Sequence, residues 1–165
     1  MSKTDEFLKE AFAGESQTNR KYLAFAAKAD QESFSQAARL FRAAAQSETI
    51  HAHFMLRALG WVRTTKENLQ EAITSETNAF KNRYPAMIEA ARSDGNREAE
   101  KAFTYANEAE KAHAKLYQKI LDGLGSPQES YPYYICPVCS FTEERKSPEI
   151  CPVCGAKGEV FQRIE

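Results

Sequence analysis

The sequence has no apolar run close to the roughly 20 residues that a membrane-spanning helix requires. Its first residues, MSKTDEFLKE, lack the apolar centre of a secretory signal, so we expect a cytoplasmic protein. It also has no long basic block, and its formal net charge is −1 at pH 7. Such a chain has no electrostatic footprint for nucleic acid or an anionic bilayer, and we expect neither as a partner.

Cysteine is missing from the first 135 residues, and all four cysteines lie in the last 30 as two Cys-Pro-Val-Cys pairs. Proline is scarce as well, since Pro85 is the only proline between Asp5 and Leu124. That long segment is rich in Ala, Glu, Lys, Leu and Gln, with apolar residues at helical spacing. The sequence therefore predicts a helical domain followed by a small cysteine-rich domain, in which clustered thiols favour a metal site over disulfides.

Turn and capping residues divide the helical part into four segments, predicted at about 4–29, 34–60, 65–93 and 96–122. Gly60 and Gly95 suit positions just past a helix end, and Thr64 with Glu67 forms a capping-box pattern. Pro85 predicts a kink within the third helix, because the apolar spacing resumes after it. We expect a four-helix bundle over 1–125, a linker over 126–133 and a cysteine domain over 134–165.

Each predicted helix carries one acidic residue on its apolar face, and two helices add a histidine three residues later. The first two acids are 33 residues apart and the last two are 34 apart, which indicates two similar halves. The residues are Glu15, then Glu48 with His51, then Glu76, then Glu110 with His113.

Four carboxylates in an apolar interior repel one another and lose water, so they require cations. A single Glu-x-x-His pattern on a helix ordinarily consists of charged surface residues or a core histidine. His53 lies outside the apolar face and is not counted among the ligands. Four coordinated placements instead favour two divalent metals, and iron or manganese suits this oxygen-rich set. A Glu from each of two helices with Glu-x-x-His from the other two is the di-iron pattern of ferritin-like bundles. The predicted fold is therefore mainly α and ferritin-like.

The cysteine pairs predict a closed tetrahedral site with four thiolate ligands. Its metal is left open by the cysteines alone, since zinc would be structural and iron would carry one electron. The neighbouring di-metal pattern favours iron. The four ligands are Cys136, Cys139, Cys151 and Cys154.

The segments AFAGES, ENLQEAI, AEKAHAKLY and YICPVC…CPVCG resemble those of rubrerythrins, and the resemblance covers essentially the whole chain. It implies a non-haem di-iron peroxidase that reduces hydrogen peroxide to water in oxidative stress defence, with electrons entering through a rubredoxin-like iron. It also implies a homodimer in which the rubredoxin-like domain of one chain lies near the di-iron site of the other. An external NAD(P)H-dependent reductase or rubredoxin is expected, because no GxGxxG follows a strand here.

The resemblance also implies roles for single residues. Glu48 and Glu110 would bridge the two irons, and His51 and His113 would each bind one. The remaining carboxylate ligands and two tyrosines beside the metals complete the expected set of catalytic residues: Glu15, Glu76, Tyr22 and Tyr84.

One position departs from the family. Rubrerythrins usually carry a further glutamate one turn after the third-helix ligand, and this chain has Ala79 there. In the family that acid alternates with the second-helix histidine as iron changes oxidation state. Without that glutamate, His51 is expected to stay bound to iron in both oxidation states. A reaction with oxygen is then favoured more than is usual in the family.

Two other functions use the same residues. A ferroxidase, oxygen-reducing or iron-handling protein would use the same six ligands, and storage would require a multi-subunit shell. A non-enzymatic protein would hold zinc in its cysteine domain and use that domain to dock a partner.

Overall fold

The computed structural model describes residues 2–127 and 129–165. Residues 1 and 128, which fall in the predicted bundle and linker, lie outside the described residues. The fold is mainly α with one small antiparallel sheet, as predicted. The chain forms two compact units, Met1–Arg63 and Thr64–Glu165. None of the described helices is long and apolar enough to cross a bilayer.

The first unit is a hairpin of two helices, α1 (Lys3–Gln31) and α2 (Ser35–Ala58). Ser2 and Asp5 form a capping box that satisfies backbone N–H groups at the start of α1. Small side chains let the two helix backbones approach closely, while larger apolar side chains such as Leu40 stay exposed. The buried residues of the hairpin are Ala26, Ala29, Ala38, Ala45 and Ala52.

The second unit begins with α3 (Thr65–Asn78), a π-helical turn (Ala79–Arg83) and α4 (Tyr84–Ser93), followed by α5 (Arg97–Asp122). Thr64 and Glu67 form the predicted capping box. Gly60 and Gly95 have φ of +64° and +67°, the left-handed conformation expected just past a helix end.

Pro85 perturbs the third predicted helix without ending it, as predicted. Proline has no N–H to donate and its ring crowds the preceding turn, so the α-helical hydrogen-bond pattern cannot continue unchanged. The wider π-helical turn Ala79–Arg83 accommodates this, and the helix resumes at Tyr84. The turn starts three residues after Glu76.

The C-terminal part of the second unit is a three-stranded sheet with order β2-β1-β3, formed by β1 (Tyr133–Ile135), β2 (Thr142–Glu144) and β3 (Gln162–Ile164). Both pairings are antiparallel. The core beside the sheet is the cysteine cluster, against which Phe141 and Phe161 pack. Tyr105 of α5 packs against the same cluster. Helix α5 therefore supports the cysteine domain directly.

We expect Gly158→Ala to destabilise the cysteine domain. A Cβ at Gly158 would lie 1.9 Å from the carbonyl oxygen of Pro148, so the buried backbone must shift. Overpacking of this kind costs about 1 to 3 kcal/mol. The measurement is thermal unfolding of the zinc-loaded chain together with its zinc content. Gly14→Ala is the matched control, because a Cβ there meets nothing within 4 Å and alanine favours the helix. Unchanged unfolding and zinc content in Gly158→Ala would contradict the predicted clash.

Candidate metal centres

The first unit brings three of the predicted ligands together. Glu15 comes from α1, and Glu48 and His51 lie one turn apart on α2. The His51 Nδ1 atom lies 3.1 Å from Glu48 Oε2 and 3.8 Å from Glu15 Oε2. Two carboxylates and one imidazole nitrogen thus point at one small space.

The second unit repeats this arrangement with Glu76 from α3 and Glu110 and His113 from α5. The His113 Nδ1 atom lies 2.9 Å from Glu110 Oε2 and 3.8 Å from Glu76 Oε1. These distances match those of the first group within 0.2 Å. The two similar halves indicated by the sequence intervals are therefore present in three dimensions.

Both groups have the donor set of a first-row divalent metal. Within each group the three ligand atoms lie within 4.8 Å of one another. Carboxylate oxygens with one imidazole nitrogen suit iron or manganese. That all six residues form one di-iron site stays a prediction.

In each group the contact between the two carboxyl groups raises the pKa of one of them. Burial raises the pKa of Glu76 to about 7, and its hydrogen bond with Glu110 and the charge of Glu110 add to the effect. A hydrogen bond with Glu48 raises the pKa of Glu15, and the same contact lowers the pKa of Glu48. In each pair one carboxyl therefore has a raised pKa, and a bound cation would favour its ionised form.

The four cysteines form a compact cage. Sγ of Cys136 lies 3.6 Å from that of Cys154, and Sγ of Cys139 lies 3.5 Å from that of Cys151. These separations are close to the roughly 3.8 Å expected between sulfurs on a tetrahedral ion with 2.3 Å bonds.

The electrostatics of the cage also suit a metal. Burial raises the pKa of the Cys139 thiol. At Cys136 burial acts in the same direction, but N–H groups of Val138 and Cys139 and neighbouring thiols outweigh it and lower the pKa. A metal would supply the positive charge that four buried thiolates require.

The two predicted tyrosines pack among aromatic rings. The Tyr22 ring lies 5.9 Å from that of Phe41, and the Tyr84 ring lies 6.4 Å from that of Phe103, between centroids. Their predicted catalytic role stays a prediction.

Sequence reasoning counted Tyr117 only as part of an apolar face. Burial raises the pKa of Tyr117, and the charges of Glu76 and Glu110 raise it further. Its phenol therefore lies within the field of the second metal group. Tyr117 also lines a cavity of about 460 Å³, together with His113 and Thr142. The sequence feature that could have indicated this is the spacing, because Tyr117 lies seven residues after Glu110 on the same helix.

Comparison with known proteins gives the family. The rubrerythrin family profile matches residues 6–121, and that of the rubrerythrin rubredoxin-like domain matches residues 134–162. The chain belongs to the rubrerythrin family. It is 38% identical to rubrerythrin-2 of Clostridium acetobutylicum, over 96% of this chain and 95% of that protein. It is 31% identical to nigerythrin of Nitratidesulfovibrio vulgaris, over 96% of this chain and 85% of that protein.

Solved structures of nigerythrin share the rubrerythrin fold of this chain. The mixed-valence form has a TM-score of 0.60 and 30% identity, covering 99% of this chain and 88% of that one. Nigerythrin has also been solved in a fully reduced, all-ferrous state. The carboxylate–histidine and four-cysteine sites found here match the iron sites of this family, whose members are oxidoreductases that use peroxide or oxygen and a reductant.

We expect the chain without metal at its carboxylate groups to lose stability as pH rises from 6 to 8. Glu76 ordinarily has a pKa of 4.5 and reaches about 7 when folded, so only the folded chain holds this proton between those values. Raising the pH removes it, at a cost of about 1 kcal/mol. Urea unfolding at both pH values, with zinc kept at the cysteines, measures the change.

Glu76→Gln should remove this part of the pH dependence, whereas Glu10→Gln, on the exposed surface of α1, should retain it. If Glu76→Gln shows the pH dependence of the wild type, the shifted pKa of Glu76 is wrong.

Proposed function

We propose that this protein is a non-haem di-iron peroxidase that reduces hydrogen peroxide to two molecules of water with two electrons and two protons. The observation that carries the proposal is the pair of matching Glu–Glu–His groups, one of which takes Glu110 and His113 from α5, the helix that supports the four-cysteine cage. The chain also belongs to the rubrerythrin family, whose members are oxidoreductases, and this supports a redox role for the metal groups.

The proposed ligands divide into two sets by donor chemistry. Iron held by the carboxylate and histidine ligands would supply the electrons that reduce peroxide, and iron held by the cysteines would supply their replacement one at a time. The proposed ligands are Glu15, Glu48, His51, Glu76, Glu110 and His113 at the carboxylate sites, and Cys136, Cys139, Cys151 and Cys154 at the cysteine site.

The second metal group has groups suited to handling protons. The Glu76 carboxyl has a pKa of about 7 without metal, so metal binding near neutral pH would release its proton into the site. The raised pKa of Tyr117 keeps its phenol protonated, so that it can donate a hydrogen bond to an oxygen of the substrate. The cavity beside Tyr117 and His113 is large enough to admit peroxide.

Electrons come from outside the chain in this proposal, from an NAD(P)H-dependent reductase or a rubredoxin. Val138, at the tip of the first cysteine pair, is exposed and marks a face of the cage open to such a donor. We also propose a homodimer, in keeping with the resemblance. Because the cysteine domain contacts α5 of its own chain, we propose an electron route within one chain as an alternative to the route between chains that the resemblance implies.

Ala79 bears on the choice of oxidant. It is 0% exposed and begins the π-helical turn one turn after Glu76. A buried methyl group cannot replace an imidazole ligand when iron changes oxidation state. We therefore expect the iron ligands to stay the same in both oxidation states. Because this differs from the usual behaviour of the family, oxygen is the second candidate oxidant.

We expect the reduced, iron-loaded protein to be oxidised faster by hydrogen peroxide than by oxygen, and Ala79→Glu to widen that difference. A carboxylate at position 79 would lie near Glu76, where it could serve as the alternating ligand. Anaerobic stopped-flow mixing with each oxidant, following the visible absorption of the cysteine-bound iron, measures both rates.

Ala79→Gln is the control for size, since it adds a side chain of similar volume without the charge. Faster oxidation of the wild type by oxygen than by peroxide would contradict the peroxidase and favour an oxidase or ferroxidase. Equal rates in all three proteins would show that position 79 does not set the oxidant.

We expect Cys136→Ser to reduce steady peroxide turnover with an external reductase almost to zero, while one peroxide reduction per reduced site is retained. The variant removes a ligand of the cysteine site without touching the carboxylate groups. Ile150→Val, an exposed position next to Cys151, should keep steady turnover. Steady turnover by Cys136→Ser at the wild-type rate would mean that electrons bypass the cysteine site.

A further inference from the structure

Thr142, a residue of the cysteine domain, contacts a proposed iron ligand on α5. Its Oγ1 lies 3.0 Å from Nε2 of His113, the ring nitrogen opposite the one that faces the carboxylates. Thr142 is the first residue of β2, and this contact lies within the second compact unit. Sequence reasoning gave Thr142 no role.

The direction of this hydrogen bond follows from a second one. The Thr142 hydroxyl donates its hydrogen to the carbonyl oxygen of Ser140, 3.3 Å away. A hydroxyl has one hydrogen, so Oγ1 is left to accept from His113, and Nε2 of that ring must carry the proton. Nδ1, which lies 2.9 Å from Oε2 of Glu110, is then the ring nitrogen that can bind a metal held between Glu76 and Glu110.

The cysteine cage fixes this pair of bonds. Ser140 follows Cys139 directly, adopts a φ of +60° and donates its N–H to the carbonyl oxygen of Cys136 over 2.9 Å. Its carbonyl oxygen is therefore held by the turn that wraps the proposed metal. Phe141, between Ser140 and Thr142, packs against the buried cysteines.

We propose that Thr142 is a positioning residue for His113. It holds the ring in the tautomer and orientation in which Nδ1 can bind metal, and it links the folding of the cysteine domain to the second carboxylate group. This inference rests on the proposed role of His113 as a ligand.

The proposal concerns His113 and not His51, and the two histidines differ in solvent exposure. The His113 side chain is 28% exposed, while that of His51 is 47% exposed. Substituting Thr142 should therefore change metal binding at His113 and leave binding at His51 nearly unchanged.

Other contacts hold the cysteine domain on α5, so the loss of one hydroxyl does not release it. Glu144 pairs with Lys119 of α5 and accepts a hydrogen bond of 2.8 Å from the Tyr131 hydroxyl. Tyr105 packs against the cysteine core. Thr142→Val keeps the shape of the side chain and removes only the hydrogen-bonding oxygen.

The first measurement is NMR of the full-length, zinc-loaded chain with ¹⁵N-labelled histidine. We expect His113 to show a metal-bound Nδ1 and a proton on Nε2 that exchanges slowly with water. Thr142→Val should speed that exchange, and Thr142→Ser should restore it. Thr104→Val, which removes a hydroxyl of α5 that donates to the carbonyl oxygen of Glu100, is the matched control and should behave as the wild type.

The second measurement is a zinc titration of the carboxylate groups, with zinc already at the cysteines, followed at the Nδ1 atoms of His51 and His113. Loss of the outer partner of a metal-bound histidine lowers metal affinity about 10- to 100-fold. We expect Thr142→Val to weaken binding at His113 within that range, with Thr142→Ser close to the wild type and His51 unaffected.

Three results would overturn the inference. A wild-type His113 without a proton on Nε2 would do so without any variant. Unchanged exchange and affinity in Thr142→Val would do so as well. Equal losses in Thr142→Ser and Thr142→Val would show that packing, not the hydroxyl, is responsible. Neither of the two measurements involves peroxide reduction. A failure of this inference can therefore be distinguished from a failure of the proposed peroxidase function.

Discussion

The structure depends on the repulsion between carboxylates that its helices bring together in partly buried positions. Within each Glu–Glu pair, the contact between the two carboxyl groups disfavours ionisation of one of them when no cation is present. The effect is larger at Glu76, whose pKa is raised to about 7. A metal removes that effect and adds the imidazole of the same helix turn as a further ligand. Metal binding therefore stabilises an arrangement that packing alone leaves unfavourable, and the alanine contacts of the first hairpin are what allow its two helices to come so near.

Helix α5 joins the two kinds of site. Tyr105 packs on the cysteine core, while Glu110 and His113 lie one to two turns further along with the carboxylate group. Lys119 then pairs with Glu144 of β2. One rigid helix thus fixes the distance between a thiolate site and a carboxylate site, and no flexible linker sets it. For an electron carrier beside a redox site, such a fixed distance is a useful property.

Much of this organisation could be predicted from the sequence, because periodicity and spacing encode it. Apolar spacing located the inward acids, and the paired C-x-x-C pattern located the cysteine cage. Local rules also gave the capping box at Thr64 and the perturbation near Pro85. The contact of Thr142 with His113 could not be predicted, since it joins residues 29 positions apart through the docking of two domains. The surroundings of Tyr117 could not be predicted for a related reason. A tyrosine on an apolar helix face is interpreted as a core residue unless the fold shows that charged side chains lie near it.

The two metal groups have matching ligands in unequal surroundings, and this difference carries a mechanistic consequence. The second group has a carboxyl with a pKa of about 7 in the absence of metal, a phenol in the field of its acids and a histidine that contacts the cysteine domain. The histidine of the first group is more exposed. Protons and the order imposed by the cysteine domain therefore converge on the Glu76 group. In a peroxidase, the group with these inputs is the better place to protonate the departing oxygen.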